Sequence, residues 1–189
     1  MGKFTNGIHH VAYRCKDAKE TVDFYAAVMG MDYQIAFAED HVPSTGAYDP
    51  YMHIFLDAGG GNILAFFELP EQIPMGRDVN TPEWVQHIAF KVDSEAALMA
   101  GKARAEAAGC NVIGPTDHGI FRSIYFFDPN GHRLELAFDT GTATELAELR
   151  RVAPEMLAEW SRTKKAPRHA DWLHAKARAS AQSVTASEV

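Results

Sequence analysis

The 189-residue chain sets 25 Asp and Glu against 18 Lys and Arg, a formal charge of −7, and so has no general attraction for phosphate backbones or anionic lipid. Nucleic acid and membrane are therefore excluded as expected partners, in favour of a small ligand. No apolar stretch follows the opening MGKFTNG, and the longest apolar runs, such as ILAFF, are too short to span a bilayer, which makes a cytoplasmic protein with reduced, structural Cys15 and Cys110 the expectation.

In chain order, GIHHVAYRC (7–15) reads as a first strand. DAKETVDFYAAVMGM follows, with Asp17 and Glu20 spaced as in a capping box, Val22, Tyr25, Val28 and Met29 at helical intervals, and Gly30 as the stop. Three strands come next, YQIAF (33–37), YMHIFLD (51–57) and NILAFFEL (62–69), separated by the turn-rich EDHVPSTGAYDP (39–50) and by AGGG. A polar, proline-bounded connection, PEQIPMGRDVNTPE (70–83), interrupts, and the order then starts again. WVQHIAFKV (84–92) is a strand, residues 94–108 a helix ended by Gly109, and NVIGP, RSIYFFD and HRLELAF are strands, the last two joined by the turn Asp128-Pro129-Asn130-Gly131.

The order strand, helix, three strands thus occurs twice. Laying one copy over the other pairs His10 with His87, because His10-Val11-Ala12-Tyr13-Arg14-Cys15 matches His87-Ile88-Ala89-Phe90-Lys91-Val92 in size and polarity. Strand alternation puts His10, Ala12 and Arg14 on one face and the bulkier Val11, Tyr13 and Cys15 on the other, where a helix would pack. A face carrying a histidine and a small alanine suits a sheet that curves around a cavity. The final strands align as NILAFFE over HRLELAF, placing Ala65 opposite Glu135; Leu134, Leu136 and Phe138 then turn to the helix side and leave Glu135 inward. A carboxylate among leucines is costly to bury unless it is paired or metal-bound.

Residues 5–140 resemble the vicinal oxygen chelate superfamily, on the strength of the HHVAYR opening, the FYAAVMGM helix end and the DPNGHRLEL hairpin. The resemblance implies an α+β fold of two tandem βαβββ modules, forming a curved mixed-sheet cup around a metal ion. Within that superfamily, Thr116 to Glu135 matches the pattern of extradiol ring-cleavage dioxygenases, with His118, Tyr125, Asp128, Pro129, Gly131 and Glu135 in order and spacing. By that resemblance His10, His87 and Glu135 hold Fe(II), with Mn(II) as the second choice. This 2-His-1-carboxylate triad leaves coordination positions for a catechol and O2. Tyr125 would then hydrogen-bond a catecholate oxygen, and His118 would handle a proton beside bound oxygen. Glyoxalases and epimerases of the superfamily place a fourth ligand where this chain has Ala65, and a methyl group cannot ligate.

The sequence departs from the dioxygenase pattern at Asn62, where such enzymes carry an acid-base histidine and an amide cannot exchange a proton. His53 on the preceding strand reaches the cavity only if the register after AGGG puts it there. Asn62, His53 and Phe127 are accordingly the expected substrate-contacting residues, with Phe55 and Phe67 as further candidate walls. The expected function is extradiol cleavage of a small catecholic aromatic with O2. The alternatives are another metal-dependent enzyme of the fold, an isomerase or lyase, or a metal-free protein that sequesters small molecules.

The expected organisation is one two-module domain over 1–140 (module one 5–69, linker 70–83, module two 84–140), a helical extension over 141–179, and a disordered tail over 180–189. In the extension, Leu146, Leu149, Val152, Leu157 and Trp160 form an apolar stripe on a helix kinked near Pro154, and Trp172 and Leu173 suggest a short second helix. The stripe must cover a sheet edge or a neighbouring subunit, which makes a homo-oligomer the expectation.

Overall fold

The computed structural model describes residues 4–173 and 175–177; the tail expected over 180–189 lies outside them. Among the described residues, eight strands and three α-helices run in the order β1 (Val11–Cys15), α1 (Ala18–Phe24), β2 (Asp32–His41), β3 (Tyr48–Asp57), β4 (Ile63–Glu68), β5 (Ile88–Lys91), α2 (Glu95–Ala107), β6 (Ile113–Asp117), β7 (Phe121–Phe127), β8 (Arg133–Asp139) and α3 (Ala143–Thr163). They form two four-stranded sheets of matching order, β1-β4-β3-β2 and β5-β8-β7-β6. In the first sheet β1 runs parallel to β4 while β4, β3 and β2 are antiparallel neighbours, so the sheet is mixed and the fold α+β, as the repeat predicts.

The chain divides into two compact units. One takes the chain up to Phe90 with Ala103–Asn111 and Phe126–Leu134, and the other takes Lys91–Lys102, Val112–Tyr125 and the chain from Glu135 on.

In the first unit, α1 begins where Asp17 Oδ1 accepts from the Glu20 backbone N–H at 2.7 Å and Glu68 Oε2 accepts from the Ala18 N–H at 2.6 Å, so two of the helix's orphan donors are satisfied by carboxylates. Glu68 thus has a structural use that its position at the end of β4 does not advertise. Residues Tyr25–Met29 widen into a π-helical turn that closes on Gly30 at φ 71°. The wider turn brings Tyr25, Val28 and then Met31 to bury against the sheet. Cys15, Ile54, Leu56, Leu64 and Phe66 complete this core; all five share one face of the sheet by the registers Val11↔Leu64, Ile54↔Phe66 and Leu56↔Leu64.

Several elements differ from expectation: β1 begins at Val11, so that residues 7–10 with both histidines precede the strand. Half of the connection 39–50 is strand: β2 reaches His41, β3 starts at Tyr48, and a tight turn with the Val42 N–H donating to the Ala47 carbonyl at 2.8 Å joins them. Strand β5 is shorter than 84–92 because Trp84 to His87 lie before it, after a turn in which the Val85 N–H bonds the Pro82 carbonyl.

In the second unit, Gly101 of α2 lets the helix backbone come within touching distance of the Leu136 side chain, confirming the helix-facing side of β8. The last helix opens with a complete capping box, Thr142 with Glu145, and continues through Pro154 to Thr163. Its apolar stripe is buried only in part: Val152 is covered, while Leu157 and Trp160 are 71% and 47% exposed. Residues 171–173 and 175–177 are helical, and Leu173 seats against Gly119. No helix among the described residues is long and apolar enough to cross a membrane.

Candidate functional site

Three clusters hold the residues singled out by sequence. The first lies on the open face of the first sheet. The β3–β4 register, His53↔Phe67 and Phe55↔Ala65, and the β1–β4 register, Ala12↔Ala65, put His53, Phe55, Phe67, Ala65 and Ala12 on one face, and His10, just before β1, lies beside it. The rings of His10 and His53 are 6.1 Å apart, that of His10 is 5.7 Å from Phe55, and His53 stacks on Phe67 at 3.6 Å. His53 therefore faces the same space as His10, which answers the register question that the AGGG turn leaves open. Burial, and then the neighbouring His10, push the His53 imidazole below the usual histidine range. Its Nε2 is buried without a hydrogen-bond partner. His9 meets His10 through their Nδ1 atoms at 2.8 Å, so one ring donates to the other.

Asn62 has a different setting. It closes the turn before β4, with its backbone N–H and its Nδ2 both donating to the Gly59 carbonyl at 3.0 Å, and its carbonyl accepting from Ala58 N–H. The side-chain amide serves the turn.

The second cluster surrounds His87, on the wall of a cavity of about 610 Å³ lined also by Tyr13, Lys16, Phe127, Asn130 and His132. His87 Nδ1 stands 3.0 Å from the Val85 carbonyl. A carbonyl can only accept, so Nδ1 donates to it, as in a metal-ligating histidine that a backbone carbonyl orients. Beside this cavity the DPNG turn is a buried polar knot. Asp128 accepts from the Tyr25 hydroxyl (3.1 Å), Asn130 Nδ2 (3.0 Å) and the His132 N–H (2.8 Å), while Asn130 also accepts from the Lys16 N–H (2.8 Å) and donates to Thr21 (3.1 Å). Burial and the Asp128 carboxylate hold the Tyr25 phenol well above its ordinary value. His132, without a role at the level of sequence, shares a 2.7 Å hydrogen bond with the Arg14 carbonyl and packs its ring against Tyr13.

The third cluster lies in the second unit. His118 Nε2 is 2.9 Å from the Tyr125 hydroxyl and 3.1 Å from Ser123 Oγ, and those two hydroxyls are 3.1 Å apart. The imidazole stacks on Phe121 at 4.5 Å, and the His118 N–H donates to the Phe121 carbonyl at 2.9 Å. His118 and Tyr125, paired by pattern alone in the sequence, are thus in direct contact. Ser123 was missed, although S-x-Y in a strand puts both side chains on one face.

Glu135, also in the second unit, is 3% exposed between Leu134 and Leu136. The donor types of His10, His87 and Glu135 suit Fe(II) or Mn(II), and the Nδ1 contact of His87 suits a ligand. Among the described residues, however, no group of three or more His, Cys, Asp or Glu side chains is gathered so as to hold a metal ion.

Residues 7–136 match the family model described as Glyoxalase/Bleomycin resistance protein/Dioxygenase superfamily. The protein named "Putative ring-cleaving dioxygenase MhqA" of Bacillus subtilis (strain 168) is 29% identical over 137 residues, which are 71% of this chain and 40% of that protein. The chain thus spans less than half the length of that relative. FosB of Shouchella clausii (strain KSM-K16), named as a metallothiol transferase, is 31% identical over 159 residues, 80% of this chain and 92% of its own length. Among solved structures, the fosfomycin resistance protein FosX from Listeria monocytogenes, complexed with Mn(II) and sulfate, shares the fold at a TM-score of 0.52 and 22% identity, covering 76% of this chain and 99% of its own. Two sheets of order 1-4-3-2, a family model spanning 7–136 and a relative at 31% identity together make this chain a member of the glyoxalase/bleomycin resistance protein/dioxygenase, or vicinal oxygen chelate, superfamily.

Proposed function

We infer that the protein is an extradiol-type dioxygenase that opens a small catecholic ring with O2, with His10, His87 and Glu135 as the ligands of a non-haem Fe(II), Mn(II) being the second choice. The observation that carries this reading is the 2.9 Å contact between His118 and Tyr125, the two residues that distinguish the ring-cleavage pattern from the superfamily's general turn-and-ligand motif. The similarity to MhqA supports the same reading. When bound, the metal supplies a Lewis-acid centre with open positions for the catechol oxygens and O2.

The chain's own residues bind, orient and handle protons. Tyr125 offers its phenolic oxygen to a substrate oxygen, with His118 behind it. His53, held toward the neutral form and flanked by Phe55 and Phe67, provides a second imidazole beside aromatic walls that suit a flat ring. Phe127 gives the His87 cavity an apolar wall. An ion that binds the folded chain and not the unfolded one should stabilise the fold.

A second reading has its own support: the FosB match covers 92% of that protein, which favours metal-dependent group transfer. Oxygen uptake separates the two. Fe(II)-loaded protein mixed with a panel of substituted catechols should consume one O2 per ring opened and form a yellow product. If no catechol drives O2 uptake and an added thiol is instead consumed in a metal-dependent way, the second reading replaces the first.

A further inference from the structure

The triangle of His118, Ser123 and Tyr125 contains more than the expected pair. Imidazole Nε2 has a single in-plane position, filled by either a lone pair or a proton, yet two hydroxyls lie within hydrogen-bond reach of it. If Nε2 carries the lone pair, only one hydroxyl can point at it well, and the other must find another acceptor. Ser123 has one in the Tyr125 oxygen at 3.1 Å. The two hydroxyls then point one way round, from Ser123 to Tyr125 to His118.

The surroundings hold that order. Phe121, Ser123 and Tyr125 are alternate residues of β7 and so share a face. The His118 ring is clamped by its stack on Phe121, and its backbone by the bond to the Phe121 carbonyl. Ser123 is fully buried, and the pairing Thr116↔Ser123 fixes its strand from the other side.

We propose that His118, Ser123 and Tyr125 act as one proton-accepting unit in which Ser123 is a positioning residue: its hydroxyl donates to the Tyr125 oxygen and thereby aims the Tyr125 hydroxyl proton at His118 Nε2. A ligand hydroxyl that donates to the Tyr125 oxygen can then lose its proton in a single relay. The ligand O–H bond breaks and a new O–H bond forms on Tyr125, while the original Tyr125 proton moves to His118 Nε2. The products are a ligand oxyanion, a neutral tyrosine and a protonated imidazole, so atoms and charge balance without any further reactant. This inference rests on the ring-cleavage reading for its ligand, a catechol. It gives the chain an acid-base group that the amide of Asn62, committed to its turn, cannot provide.

The unit is testable apart from turnover. Nitrogen-15 NMR of histidine-labelled, metal-free full-length protein, with His118 assigned by a His118→Gln difference spectrum, reports which ring nitrogen carries the proton. The expected result for neutral His118 is the Nδ1–H tautomer in the wild type, reverting toward Nε2–H in Ser123→Ala and in Tyr125→Phe. In the Fe(II)-loaded protein, Ser123→Ala should lower kcat on a catechol about tenfold, the size of one lost hydrogen bond, with KM changed less than twofold and melting temperature nearly unchanged. Ser123→Thr, which restores the hydroxyl, should recover the tautomer. An Nε2–H tautomer in the wild type, or one that Ser123→Ala leaves as it was, overturns the proposal. A wild type that opens no catechol defeats the ring-cleavage reading instead, and the NMR result still decides the unit.

Discussion

Removing the Asp128 carboxylate should destabilise the fold through the buried polar contacts of the DPNG turn. Asp128→Ala deletes the acceptor for the Tyr25 hydroxyl, for Asn130 Nδ2 and for the His132 backbone N–H, in a site where Asp128 is 5% exposed and Tyr25 fully buried. A hydrogen bond to a charged group contributes about 1.5–3 kcal/mol when intact, but three of them do not simply add. Asn130 keeps its bonds to Thr21 and the Lys16 N–H, and deleting a buried charge also removes its desolvation penalty. The net cost should be about 3–5 kcal/mol, which at about 2–4 °C per kcal/mol for a chain of this size lowers the melting temperature by roughly 6–20 °C. Tyr25→Phe, which deletes one donor only, should cost about 1–2 kcal/mol. The pair should couple: Tyr25→Phe made in the Asp128→Ala background should cost much less than alone. Urea denaturation followed by circular dichroism measures all four proteins. A single Asp128→Ala change within about 0.5 kcal/mol of wild type, the scatter of ordinary surface substitutions, would refute the reasoning, as would strict additivity of the two substitutions.

Three further outcomes follow from other parts of the molecule. Gly119→Ala forces a side chain onto a backbone at φ 86°, against the Leu173 side chain and 2.9 Å from its carbonyl, whereas Gly109→Ala at φ 83° meets open space; the first should cost about 2–4 kcal/mol and the second about 1–2, and equal melting temperatures would contradict the packing. The His53 imidazole is held below its unfolded value of 6.5, so the folded state binds fewer protons than the unfolded one; stability should be complete above pH 6.5, fall as the pH drops below it, and level off once the folded imidazole has also titrated. His53→Phe should flatten that fall in urea midpoints between pH 7 and pH 5, and an unchanged profile would contradict it. Fe(II) or Mn(II) at 100 times its dissociation constant should add about 2.7 kcal/mol of stability, an effect a chelator reverses.

Much of this was legible in the sequence because the repeat spells out the same element order twice, and alternation alone sorted Cys15 and Leu136 into the core. What escaped depended on contacts between residues distant in sequence or on local register. The face of His53 is set by pairing with Phe67 across a glycine turn that carries no register signal of its own. Asn62 aligned with a catalytic position but was drawn into that turn by the Gly59 carbonyl, an acceptor invisible until the chain is folded. The acidic and amide groups of the DPNG turn read as turn formers, and they are; their second use, tying the turn to Tyr25, Thr21 and Lys16 more than 100 residues away, is a tertiary fact. The π-helical turn after Phe24 was missed because its side-chain pattern is close to that of an α-helix. Ser123, by contrast, could have been found, since it lies two residues before Tyr125 on a strand.

The claim on which the functional reading turns is that His10, His87 and Glu135 together hold one cation. Anaerobic Fe(II) titration of the full-length protein, followed by bound-metal analysis, tests it most directly. The account predicts one Fe(II) per chain in the wild type, and binding weakened at least a hundredfold in each of His10→Ala, His87→Ala and Glu135→Gln. Stoichiometric iron that survives loss of any of the three side chains, or a wild type that retains none, would contradict it.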